Sequence, residues 1–114
     1  MEYLNGWTKE KVIDQLNQEF KGVAYNDLRC QCSYRAGNKK CVAGCFIPND
    51  LYTSSMEGIY IDTLMSSNKD ISNSMPFGSL VMKTWQDIHD NIDSSLPLED
   101  QMFELISFLD KDVQ

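Results

Sequence analysis

Residues 29–47 read RCQCSYRAGNKKCVAGCFI and lie between two helical regions of the chain. Gly37 and Asn38 are residue types that readily adopt the positive φ values of a tight reversal. The stretch therefore predicts a β-hairpin whose turn is formed by residues 36–39. A hairpin between helices places the chain in the α+β class.

The cysteines are expected to cluster on this hairpin. If Gly37 and Asn38 form the centre of the turn, Cys32 lies opposite Ala43 and Cys30 lies opposite Cys45. Because side chains alternate between the two faces of a strand, one face is then shared by six residues. These are Cys30, Cys32, Tyr34, Cys41, Ala43 and Cys45.

An N-terminal helix is predicted over residues 9–21. Thr8 is a favourable N-cap, and Gly22 is a natural stop. Apolar residues follow at helical spacing and predict the face that is buried. They are Ile13, Leu16 and Phe20.

Two amphipathic helices are predicted in the C-terminal third, after a Ser- and Asn-rich stretch at residues 66–76 that predicts a loop. The first carries an apolar stripe at Val81, Trp85, Ile88 and Ile92. Pro97 opens the second, in which Met102, Leu105, Ile106 and Leu109 face inward, and Phe103 and Phe108 widen the apolar face. The N-terminal helix is expected to pack against five of these residues, Val81, Trp85, Ile88, Leu105 and Leu109.

We expect these elements to form one small domain over residues 1–114.

The composition suits a chain that folds in the cytoplasm. Its 114 residues include 42% hydrophobic residues, enough for a core without disulfides. No run approaches the roughly 18 apolar residues that a membrane-spanning helix needs, and no membrane contact is expected. The first residues, MEYLNG, lack the basic and apolar regions of a signal peptide.

The net charge of −7 is confined to the last quarter of the chain. Residues 1–85 contain nine acids and nine bases, whereas residues 86–114 contain eight acids and one base. Such a field repels nucleic acid and favours a basic protein partner, or else it only keeps the chain soluble. The expected partner-binding residues are Asp87, Asp90, Asp93, Glu99, Asp100 and Glu104. A basic patch at the hairpin tip, Arg35, Lys39 and Lys40, is too small to predict nucleic-acid binding.

The four cysteines have two interpretations. Cys30, Cys32, Cys41 and Cys45 supply enough thiolates for a tetrahedral zinc site, although their C-x-C and C-x3-C spacing differs from that of a zinc knuckle. Burial as small apolar residues is our preferred interpretation, with no cofactor bound.

His89 is the single histidine, and a packing role at a helix end is preferred to a catalytic role together with a cysteine.

Part of the chain resembles small phage- and prophage-encoded proteins. The run CSYRAGNKKCVAGCFIPNDLY at residues 32–52, followed by Met56-Glu57-Gly58, is similar to their C-x-Y-R-G, K-C-x-x-G-C, I-P-D and M-E-G motifs. WQDIHD at residues 85–90 is similar to their L-Q-x-x-H-D segment. The resemblance implies a helix, a hairpin and two C-terminal helices, and life in an infected bacterium. It implies no activity, and Cys30 lies outside the shared pattern.

These observations predict a small phage-type accessory protein, not an enzyme, that binds and modulates or inhibits a host protein with a basic surface. A host-takeover or anti-defence factor of the bacterial cytoplasm fits this description. The alternatives are a zinc-stabilised regulatory module and a cysteine-dependent enzyme.

Overall fold

The computed structural model describes residues 2–26 and 31–111, with five α-helices and four short strands among them. The α-helices are α1 (Lys9–Glu19), α2 (Ile61–Ser67), α3 (Lys69–Ser74), α4 (Ser79–Asp90) and α5 (Leu98–Ser107). The strands are β1 (Tyr25–Asn26), β2 (Gln31–Cys32), β3 (Arg35–Ala36) and β4 (Lys39–Lys40). Single 3₁₀ turns span Gly44–Phe46, Ser54–Met56 and Phe108–Asp110. Helices with short antiparallel strand pairs confirm the α+β prediction.

Helix α1 begins as its sequence predicts. The Thr8 hydroxyl accepts a hydrogen bond from the Lys11 N–H at 3.3 Å, which satisfies one of the free amides of the first turn. The helix ends at Glu19, two residues before the predicted end, and Gly22 then takes a φ of +124°. Leu16 and the following Phe20 are buried as expected.

The predicted turn of the hairpin is confirmed, but the predicted length of its strands is wrong. Arg35 pairs with Lys40, and this register leaves the reversal to Gly37 and Asn38. The pairing does not continue to Cys32 and Ala43, because β2 pairs with β1 instead. Cys30, which the prediction pairs with Cys45, lies outside the described residues.

The segment after β4 is a helical turn and not a continuation of the predicted strand. Residues 41–47 are all buried, including Val42, which the strand pattern assigns to a polar face. The Cys45 N–H donates to the Cys41 carbonyl at 3.0 Å, and the Phe46 N–H donates to the Ala43 carbonyl at 3.0 Å. These local bonds close a helical turn, so the backbone of this segment does not form the ladder that the predicted strand needs.

The prediction of a loop over residues 66–76 is wrong, since most of this stretch belongs to α2 and α3. Asn68 caps α3, with its side-chain oxygen accepting from the Ile71 N–H at 3.2 Å. The Ser66 and Ser74 hydroxyls donate to carbonyls of their own helices, so both hydroxyls are satisfied without leaving the helical conformation. Ile71 and Met75 are fully buried and anchor the stretch to the core.

Helix α4 buries Trp85 as predicted, but its other buried residues are not those of the predicted stripe. Its buried residues are Met82, Trp85 and His89. Val81, Ile88 and the later Ile92 are only half-buried, as is Ile13 of α1. The Trp85 indole lies at the centre of the core, 5.7 Å from the Phe46 ring and stacked at 5.7 Å on the Phe108 ring.

Helix α5 follows the prediction in part. Leu105 is buried within it, and Leu109 is buried in the 3₁₀ turn that follows. Met102 and Ile106 are half-buried, and Phe103 is exposed.

Within the described residues, no helix is both long enough and apolar enough to cross a membrane.

Candidate functional site

A groove lies between α4 and α5, and the segment that connects them closes one end. Its volume is about 460 Å³. The half-buried side chains of Ile88 and Ile92 lie there beside exposed carboxylates. The groove, called the acidic groove below, is lined by Thr84, Asp87, Ile88, Asn91, Ile92, Asp93, Leu96 and Glu104.

The connecting segment is held in place by its own hydrogen bonds. The Asn91 side-chain amide donates to the Asp87 carbonyl at 2.7 Å and closes the last turn of α4. The Asp93 carboxylate accepts from both the amide and the hydroxyl of Ser95, at 2.9 and 2.7 Å. The Leu96 N–H donates to the Asp93 carbonyl at 3.1 Å, which positions Leu96 in the groove.

The groove carries negative charge. The hydrogen bonds from the Ser95 hydroxyl and amide hold the pKa of Asp93 below its ordinary value, so this carboxylate is ionised at neutral pH. Asp87 forms an i,i+4 ion pair with Lys83 at 3.3 Å, but both side chains are largely exposed and the pair is weak. The lining residues include three acids and no base.

The structure divides the six acids that the sequence predicts as one binding surface. Asp87, Asp93 and Glu104 line the acidic groove together. Glu99 lies instead beside a different, mostly apolar groove between α1 and α5. Asp100 is exposed in the first turn of α5 and lines neither groove.

Asp90, the sixth acid, has a structural role. Its Oδ1 lies 2.9 Å from the His89 Nδ1 and accepts from the Gln86 amide at 2.8 Å. His89 is fully buried, and its Nε2 accepts from the Ala24 N–H at 3.5 Å, which places the ring proton on Nδ1. Gln86 also accepts from the Ala43 N–H at 3.1 Å. His89 therefore packs and connects elements, as the sequence predicts, and no thiol is among its described partners.

The two cysteines whose side chains are described are buried free thiols. Cys41 and Cys45 are buried, and the Cys41 Sγ accepts from the Gly44 N–H at 3.2 Å. Burial raises the pKa of Cys41 well above its ordinary value and that of Cys45 to about 12. Both thiols stay protonated at neutral pH, which is the opposite of what a cysteine nucleophile needs.

The four-thiolate zinc site stays a hypothesis. Cys30 lies outside the described residues, and only the backbone of Cys32 is described. Among the side chains that are described, no group of three or more His, Cys, Asp or Glu residues is arranged to hold a metal ion.

Glu57 is an important polar residue that the sequence analysis did not select. Its carboxylate accepts from the backbone N–H groups of Tyr34 and Arg35, at 2.8 and 3.1 Å, and from the Tyr52 hydroxyl at 2.6 Å. The Arg35 guanidinium in turn donates to the Ile47 carbonyl at 3.0 Å. The M-E-G and Y-R motifs therefore hold each other in place.

The bases of the hairpin tip do not form a free basic patch. The Arg35 guanidinium donates to the Ile47 carbonyl, and Lys40 forms an ion pair with Glu19 at 2.7 Å.

No family model, curated protein or solved structure matches the chain. A proposal on function therefore starts from the acidic groove.

Proposed function

We propose that this chain is a small accessory protein that binds a basic segment of a host protein in the acidic groove and thereby modulates or inhibits that protein. The observation that carries the proposal is the placement of Asp87, Asp93 and Glu104 around one groove that also has apolar side chains in its lining. The bacterial host and its cytoplasm come from the resemblance to phage-encoded proteins.

The groove has the chemistry that a basic amphipathic segment needs. Lysine and arginine carry an apolar stem and a charged head. The stems suit the half-buried Ile88 and Ile92, and the heads suit the carboxylates at the rim. A stable protein interface buries roughly 1,200–2,000 Å², so the groove serves as the anchor within a larger contact surface.

The charge distribution supports association with a basic partner. Residues 86–114 carry all of the net charge of −7, and they include every lining residue of the groove except Thr84. A field of one sign raises the association rate of an oppositely charged partner and makes that rate sensitive to salt.

The other functions have less support in the described residues. Cys41 and Cys45 are poor candidates for the nucleophile of a cysteine-dependent enzyme, because burial raises the pKa of both thiols. A zinc-stabilised module stays a hypothesis that metal analysis of the purified chain tests directly, with tightly held zinc and unfolding on chelation as the result in its favour.

A charge-reversal experiment tests the groove. Asp87, Asp93 and Glu104 are replaced together by lysine, since all three side chains are exposed. Asp90 is left intact because it contacts the buried His89. The matched control reverses three exposed acids elsewhere, and it changes the net charge by the same amount. The control residues are Glu10, Asp14 and Asp70.

The readout has two stages. Proteins captured from bacterial lysate by the wild-type chain are identified, and the association rate of each purified candidate is measured over a range of ionic strengths. We expect the groove variant to associate at least about tenfold more slowly with a flatter salt dependence, while the control keeps most of the rate. Equal losses in both variants, or no loss in the groove variant, would exclude the groove as the binding site.

A further inference from the structure

A second concavity adjoins the acidic groove and has a different chemistry. This cleft, of about 290 Å³, lies between the hairpin, the turn after Glu57 and α4. Asp87 lines both concavities. We propose that the cleft binds a single organic cation, an alkylammonium or a guanidinium group. It is lined by Ser33, Glu57, Tyr60, Lys83, Gln86 and Asp90, among others.

Ser33 is the first observation that points to a ligand. The residue is 4% exposed and lines the cleft, and its hydroxyl has no hydrogen-bond partner. Its backbone is fixed, because the Ser33 N–H donates to the Ala24 carbonyl at 2.8 Å. A buried polar group without a partner is unfavourable and is rare in native proteins. A bound polar group in the cleft would supply the missing partner.

The charge of the cleft selects a cation. Its lining includes the carboxylates of Glu57, Asp87 and Asp90 and one base, Lys83. Glu57 is fixed by backbone N–H groups, and Asp90 accepts from Gln86, so both charges are held close to the cleft. An anionic ligand would meet a net negative field, whereas a cation would be attracted to it.

Lys83 shows that the rim of the cleft already accommodates an ammonium group. Its Nζ lies 5.8 Å from the centre of the Tyr60 ring, within the distance at which cations are attracted to aromatic rings. The same atom lies 3.3 Å from the Asp87 carboxylate. An incoming cation would meet the same two groups and would compete with Lys83 for them.

The size of the cleft limits the ligand. Pockets for drug-sized molecules have volumes of roughly 300–1,000 Å³, so this cleft matches a single side chain or a small amine. The cation comes either from a free metabolite or from a lysine or arginine side chain of a bound protein. The second source would extend the groove function, but cation binding in the cleft does not depend on that function.

An NMR titration of the ¹⁵N-labelled chain tests the proposal. The probes are N-acetyl-lysine methylamide, N-acetyl-arginine methylamide and the uncharged N-acetyl-norleucine methylamide. We expect saturable shifts at Ser33, Tyr60 and Gln86 with at least one cationic probe and none with the norleucine derivative. Butylguanidinium serves as the free small-molecule cation, because it carries a single charge as the blocked amino acids do. Tighter binding of butylguanidinium favours a metabolite, and tighter binding of a blocked amino acid favours a protein side chain.

Variants separate the cleft from its surroundings. Ser33→Ala and Asp87→Asn should each weaken probe binding about two- to tenfold, the range for loss of one hydrogen bond. Lys83→Met should strengthen binding, because it removes the competing ammonium. The matched controls Asp70→Asn and Lys69→Met, both on α3, should change nothing.

The outcomes distinguish the cleft from the groove. Asp93 lines the acidic groove and not the cleft, so Asp93→Asn should leave probe binding unchanged. Shifts that are absent, that occur equally with the norleucine probe, or that persist in both Ser33→Ala and Asp87→Asn would overturn the cation site. Asp87→Asn alters an exposed side chain and keeps the test valid even where Ser33→Ala disturbs the fold.

Discussion

Replacing Gly44 with alanine should destabilise the fold strongly, for lack of space and not because of backbone conformation. Gly44 does not have a positive φ, so alanine can adopt its backbone angles. A Cβ at this position would lie 2.2 Å from the Tyr34 carbonyl oxygen and 3.1 Å from its carbonyl carbon. Both are backbone atoms, which no side-chain rotation can move away.

The surrounding contacts prevent Tyr34 from moving cheaply. Its N–H donates to Glu57 at 2.8 Å, and its hydroxyl donates to the Ile59 carbonyl. Its carbonyl accepts from the Cys41 N–H at 3.1 Å. Overpacking costs about 1–3 kcal/mol, and loss of the Cys41 hydrogen bond adds about 0.5–1.5 kcal/mol. We therefore expect Gly44→Ala to lower the free energy of unfolding by about 2–4 kcal/mol.

Urea unfolding, followed by circular dichroism and by tryptophan fluorescence, measures this loss. Gly78→Ala is the matched control, because its φ is −65° and a Cβ there has no atom within 4 Å. The control should lose no more than about 1 kcal/mol, because Gly78 is the N-cap of α4 and alanine is less favourable there. If Gly44→Ala unfolds at the same urea concentration as Gly78→Ala, the close approach between the hairpin and the 3₁₀ turn is not part of the native structure.

The other stability predictions concern the core. Trp85→Ala should cost about 3–5 kcal/mol, because the ring is fully buried and its Nε1 donates to the Leu105 carbonyl at 3.0 Å. Trp85→Phe should lose less, and a loss below about 1 kcal/mol for the alanine variant would show that Trp85 is not core. Alkaline pH should also destabilise the chain, since burial raises the pKa of Cys41 and raises that of Cys45 from 9.0 to about 12. The folded state keeps both protons where unfolded thiols ionise, so stability is complete below pH 9 and falls above it by up to about 1.4 kcal/mol per thiol per pH unit. Urea midpoints between about pH 7 and pH 10 measure this fall, which should be shallower in Cys45→Ala, and a constant midpoint would contradict the burial of the thiols.

Local signals in the sequence are sufficient for several elements of the fold. Thr8 caps α1 with its own side chain, and Gly37 and Asn38 form the hairpin turn. Each of these features depends on residues close together in the chain, so the sequence pattern predicts them correctly. Leu105 and Leu109 are likewise buried where helical spacing places them.

The proposed binding surfaces were predictable only in part. The excess of acids after residue 85 is visible in the sequence, but their separation into different surfaces is not. Asp87, Asp93 and Glu104 line one groove because the turn after α4 brings α5 beside it. The cleft was not predicted, because Ser33 and Lys83 are fifty residues apart and meet only through packing.

The sequence by itself therefore determined the α+β class, the positions of α1, α4 and α5, the turn of the hairpin and the region that carries the charge. Tertiary structure decided where the hairpin ends, that residues 66–76 are mostly helical, and which acids share a groove. The reason is how far apart in the sequence the stabilising partners lie. A cap or a tight turn is stabilised by neighbours in sequence, whereas the end of the hairpin depends on Gly44 lying against the Tyr34 carbonyl and on Glu57 binding the hairpin backbone.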